Sequence, residues 1–86
     1  MKTKNLVETT IEVDLHNLTV PDGKRTLERT VMAAPNNIKE IIVIHGFHRG
    51  KDMLNMVRNQ FKCRKVAKKV LTLNQGITIL VLKREV

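Results

Sequence analysis

The run Ile41-Ile42-Val43-Ile44 is unbroken in apolar residues and stops abruptly at His45-Gly46. Four consecutive branched aliphatic side chains read as a central strand of a sheet rather than an edge. Upstream, Ile11, Val13 and Leu15 alternate with Glu12 and Asp14, the pattern of a strand with one buried face, and this run ends in His16. Open α/β sheets carry their sites beyond the carboxyl ends of the strands. If the two strands are parallel neighbours, roughly 4.8 Å apart, His16 and His45 meet one ligand although 29 residues separate them.

The rest of the chain supplies helices of a length that packs on such a sheet. Residues 1–9 are polar and form an N-terminal arm, and residues 10–86 form a single domain. Thr19-Val20-Pro21-Asp22 has the form of a helix start: Thr19 caps, Pro21 fits the first turn, and Asp22 completes a capping box. The helix presents Val20, Leu27, Val31 and Ala34 on one side and ends before Pro35-Asn36-Asn37. A second helix is predicted over 51–62, with Met53, Val57 and Phe61 at intervals of four and Leu54 beside them. In the mixed run 66–73 the strand-like part is 70–73. Asn74-Gln75-Gly76 makes a tight connection, and 77–82 is the last strand. The order β-α-β-α-β-β, with right-handed crossovers, gives an α/β two-layer sandwich with both helices on one face.

Eighty-six residues hold one core, and with no Trp, no Tyr and two Phe it is built from aliphatic side chains and methionine. Cys63 is the one cysteine, which excludes an internal disulfide and a multi-cysteine zinc site and suits a reducing compartment. No apolar stretch is long enough for a signal peptide or a membrane span, so a soluble, cytoplasmic protein is expected. The charge is uneven. Residues 49–69 hold eight basic side chains and one acid, Asp52, and so carry +7 of the formal +8. A block this dense points to a partner with many phosphates, RNA or DNA before lipid; its bland alternative is a solvated helix face.

Taken in order, Asp14-Leu15-His16 with Leu18-Thr19-Val20, then Ile44-His45-Gly46 with Gly50 opening a helix, then Gly76-Ile77-Thr78 leading the last strand, resemble the Smr (small MutS-related) domain. The resemblance spans about residues 11–83. The family's H-G-x-G loop here has His48 in its fourth position, and its G-G-x-G loop has Leu73 and Asn74 in the first two, leaving Gly76. The resemblance implies a fold similar to the C-terminal domain of translation initiation factor 3. That fold has a four-stranded mixed sheet of order 1-2-4-3, with the last strand antiparallel. It also implies nucleic-acid binding, in some members with nicking or endoribonuclease activity, and brings the Gly76 turn to the edge that holds His16 and His45.

Cutting a phosphodiester needs a base, an acid and positive charge for the developing phosphorane. Histidine serves as either acid or base near neutral pH. On the enzymatic reading His45 or His16 moves the proton and Asp14 orients its partner or the sugar. Arg49 and Lys51 then hold the phosphate, with the amides of Gly46 and Gly50 close to it. Phe47 stacks on a base or anchors its loop; His48, Arg58, Lys62, Arg64, Lys65, Lys68, Lys69 and Gly76 complete the expected nucleic-acid surface. Each has a structural rival: Asp14 can cap the turn, and His16 can bond backbone groups around Asn17 and Leu18. The segment 46–52 is one residue short of a P-loop spacing and has Asp52 where Ser or Thr would bind magnesium. A zinc site of His45, His48, Asp14 and His16 lacks a matching second pair, and the acids are too scattered for a two-metal nuclease, so no cofactor or metal is expected. Three functions stay open: a metal-independent endonuclease, a non-catalytic RNA- or ribosome-binding module, and a protein-protein adaptor. Nothing demands an oligomer, and a monomer is the expected state.

Overall fold

The structure is a computed structural model that describes residues 9–47 and 51–83. The strands are β1 (Thr10–Asp14), β2 (Glu40–Ile44), β3 (Val66–Leu71) and β4 (Ile77–Leu82). Helix α1 (Val20–Ala33) joins β1 to β2; α2 (Asp52–Asn55) follows β2 and runs on as a π-helical segment, Met56–Gln60. The sheet order is β1-β2-β4-β3, with β1 parallel to β2 and β4 antiparallel to both its neighbours. This is the α/β two-layer sandwich expected from the order of elements and the 1-2-4-3 strand order that the resemblance implies.

One face of the sheet makes the core. Leu15, Ile41, Val43 and Leu80 are buried against Leu27 and Val31 of α1 and against Met56, Val57 and Phe61 from the second helical segment. Helix α1 starts as its sequence dictates: the Thr19 hydroxyl accepts the Asp22 N–H at 3.2 Å, and Pro21 sits in the first turn. Asp22 also pairs with Arg25 on the exposed side.

Three boundaries differ from the sequence reading. Strand β1 begins and ends one residue earlier than 11–15, although the Leu15 N–H still donates to the Ile44 carbonyl at 2.7 Å. The second helix is not an α-helix over 51–62. It widens at Met56, where the Phe61 N–H reaches back five residues to the Met56 carbonyl at 2.6 Å, so that Met56, Val57 and Phe61 are all buried. Strand β3 covers Val66–Leu71 rather than 70–73, with a bulge between Val66 and Lys68. Its lysines hid the alternation because β3 is an edge strand, and edges carry charge and bulges that discourage further pairing.

Among the described residues no helix is long and apolar enough to cross a membrane. The N-terminal arm, apart from Thr9, lies outside the described residues, as do His48, Arg49 and Gly50.

Candidate nucleic-acid site at the strand exits

Three chain segments converge beyond the upper ends of β1 and β2. The parallel register pairs Asp14 with Ile44, which carries His16 to the level of Gly46. The Gly76 carbonyl, just before β4, accepts both the His45 N–H at 2.8 Å and the Gly46 N–H at 3.0 Å. Contact here is close. Gly46 has φ +71°, a conformation that side chains resist, and a Cβ there would lie 3.3 Å from the His16 Cβ. A Cβ on Gly76 would lie 3.3 Å from the Gly46 Cα. The Gly76 N–H is held by the Asn74 side-chain oxygen at 2.8 Å.

The period of two along each strand separates the two histidines. His45 is in phase with Ile41 and Val43 and turns inward, where it is 3% exposed. Its Nδ1 lies 2.9 Å from the Gly46 carbonyl oxygen, so Nδ1 carries the proton. Its Nε2 lies 2.8 Å from the Thr78 hydroxyl, and that hydroxyl also accepts the Arg58 Nε–H at 2.7 Å. The neutral ring therefore accepts the Thr78 proton at Nε2. Desolvation pushes the His45 pKa below its ordinary value, the positive charge of Arg58 adds to that, and the bond to the Gly46 carbonyl opposes it. Both ring nitrogens are occupied within the fold.

His16 is in phase with Glu12 and Asp14 and turns outward. The Leu18 N–H donates to the Leu15 carbonyl at 3.0 Å, closing a turn around buried Leu15. The Asp14 carboxylate accepts the His16 backbone N–H at 3.0 Å and also bonds His16 Nδ1. Bonding to the His16 ring and then to its N–H holds the Asp14 pKa below the ordinary carboxylate value. Both side chains are about half exposed, 50% and 52%, so a ligand has access to them.

The basic block does not form one patch. Arg58 turns under the sheet edge, where its Nη2 donates to the Ile77 carbonyl at 3.0 Å in addition to the Thr78 bond. Lys69 donates to the Arg58 and Phe61 carbonyls at 3.2 and 2.6 Å, satisfying the end of the π-helical segment; burial and the neighbouring charge of Lys62 lower its pKa. Lys65 donates to the Met32 and Ala34 carbonyls at the end of α1. Lys51, Lys62 and Arg64 are exposed, Lys51 just before α2 and the other two beyond the far end of the helical segment. Lys68 is exposed on the opposite side of the sheet, paired in register with Val81. Phe47 is 37% exposed beside Gly46.

Thr78 was not singled out in the sequence for any role. Its signal was phase: it stands two residues before Leu80 and four before Leu82, on the buried side of β4. A hydroxyl at a core position needs partners, and here they are a histidine and an arginine. Among the described residues no three His, Cys, Asp or Glu side chains are grouped to hold a metal ion.

No family model matches the sequence, and no curated protein is significantly similar to it. Its fold is similar to the crystal structure of the Smr domain of MutS2 from Thermus thermophilus, with a TM-score of 0.75. The two chains are 19% identical, and the match covers 85% of this chain and 98% of the other. This chain has an Smr-like fold.

Proposed function

We propose that this chain is a nucleic-acid-binding domain that nicks RNA or DNA without a metal, using the aspartate–histidine pair at the exit of β1. The observation that carries this reading is the bond between Asp14 and His16 Nδ1 at a half-exposed corner. With its proton held on Nδ1 by a carboxylate, the ring offers Nε2 as a base toward solvent. That nitrogen takes the proton of the attacking hydroxyl or water. Lys51, at the start of α2, supplies positive charge for the phosphate; His48 and Arg49, which lie outside the described residues and precede it closely in sequence, add to that charge.

His45 acts on this site as a strut. It ties the Gly46 backbone to Thr78 and Arg58, and so fixes the floor against which His16 packs. One observation favours the second reading, a binding module without catalysis. The chemistry calls for a base and an acid, yet of the two histidine rings described, one is committed to the interior. A module of this kind would take structured RNA or the ribosome as its partner.

Purified protein is incubated with labelled single- and double-stranded RNA and DNA in the presence of a chelator. His16→Ala is expected to reduce nicking about 100-fold or more, the usual scale of losing a positioned base. Asp14→Asn is expected to act in the same direction. Nicking that survives both changes refutes the assignment. If no nicking occurs but affinity falls with salt, the binding module stands. The described exposed cations Lys51, Lys62 and Arg64 alone, as three phosphate contacts, predict a slope at least as steep as about −2.7 in log affinity against log salt, or about 40-fold between 50 and 200 mM, and Arg49 steepens it.

A further inference from the structure

The second face of the sheet is apolar, and both helices pack on the other side. Ile42, Ile44, Ile77, Ile79 and Val81 alternate with the buried residues of β2 and β4 and remain partly exposed, and Val70 beside them on β3 is 39% exposed. Charge on this face is divided by strand. The β1 and β2 half carries Glu12 and Glu40, with Asp14 at the upper end; the β4 and β3 half carries Lys68 and, one residue past β4 in phase with Val81, Lys83. Below the Asp14 corner, Glu12 and Glu40 balance Lys68 and Lys83, so the body of this face has no excess of positive charge to draw a phosphate backbone, unlike the exposed cations Lys51, Lys62 and Arg64 around the second helical segment.

We propose that this face binds a second copy of the chain, sheet against sheet, about a two-fold axis parallel to the strands. Such an axis lays β1 of one copy over β3 of the other, and β2 over β4, so each acidic half meets a basic half. The registers agree in detail. Glu12 shares a row with Val70, one two-residue step above Lys68, and Glu40 shares a row with Val81, one step above Lys83. Each acid is thus offset in the same direction from a lysine of the facing sheet by about 7 Å along the strand, a gap a lysine side chain can span. An axis perpendicular to the strands would instead stack β1 on β1 and set carboxylate against carboxylate.

The face measures roughly 20 by 17 Å from strand spacing and rise, small for an interface, so the association is weak and concentration-dependent. Because the axis follows the strands, the aspartate–histidine corners of both copies lie at one end of the dimer, roughly 17 Å apart across three strand gaps and one sheet gap. The dimer does not depend on any activity at those corners.

Sedimentation equilibrium over about 5–500 µM protein tests this, a range suited to a small interface. A monomer–dimer equilibrium is expected. Glu12→Lys and Lys68→Glu, both at exposed positions and checked for folding by circular dichroism, should each weaken the dimer about tenfold or more by juxtaposing like charges. The double variant restores the pairing with its signs exchanged and should recover most of the affinity. Lys24→Glu, on the outer side of α1, should leave it unchanged. A monomer at every concentration overturns the proposal, as does a dimer indifferent to the single reversals or one that the double reversal fails to rescue.

Discussion

Replacing Thr78 by valine keeps the volume of a fully buried side chain and removes one oxygen. That oxygen has two partners, Arg58 Nε at 2.7 Å and His45 Nε2 at 2.8 Å. A hydrogen bond to a charged group contributes roughly 1.5–3 kcal/mol, and a buried acceptor left without a donor costs roughly 1–3 kcal/mol. Arg58 is only partly buried and keeps its bond to the Ile77 carbonyl, so its share falls at the low end. The expected loss is therefore about 2–4 kcal/mol, a large part of the roughly 5–15 kcal/mol that holds a domain together. Urea unfolding followed by far-ultraviolet circular dichroism at pH 7.5 reads it; the chain has no Trp or Tyr to report by fluorescence. Arg58→Met combined with Thr78→Val should be non-additive by about 0.5 kcal/mol or more, as expected for side chains in one network. Imidazole nitrogen spectra should place the His45 proton on Nδ1. A Thr78→Val change of less than about 0.5 kcal/mol, the range of an ordinary surface substitution, would refute the reasoning.

Gly46→Ala must place a side chain at φ +71° and 3.3 Å from the His16 Cβ, so a loss of about 1–2 kcal/mol or more is expected, with the melting temperature as the measurement. For pH, His45 has a folded pKa below its ordinary 6.5. Between the two values the unfolded chain binds the proton that the fold refuses, so this contribution is complete above 6.5 and is lost as pH falls toward the folded pKa. Melting at pH 7.5 and 5.5 should show the wild type weaker at the lower pH, with a smaller difference in His45→Asn; stability that rises on acidification would contradict the buried neutral ring.

The strand phases were legible in the sequence because burial repeats every two residues. Ile11, Val13 and Leu15 point to the core, and Ile41 to Ile44 form an inner strand between β1 and β4. The same rule, carried one step past each strand, separates the histidines: His45 follows Ile41 and Val43 inward, and His16 follows Glu12 and Asp14 outward. The π-helical turn was not legible, since Met53, Val57 and Phe61 at intervals of four are equally good α-helix.

The sequence by itself determined the order of elements, the side on which the helices pack and the two strand exits with their histidines, because these follow from local periodicity and chain-crossover rules; the sheet neighbours and the third segment at that edge were implied by the resemblance to the Smr domain. What each cation does was decided by the tertiary structure. Arg58, Lys65 and Lys69 look like phosphate contacts in a charge count, but they lie against carbonyls and a hydroxyl that the ends of helices and the start of β4 leave unsatisfied. A charge in a sequence has no direction. It acquires one when buried polar atoms from distant segments need a donor and the fold brings it within about 3 Å.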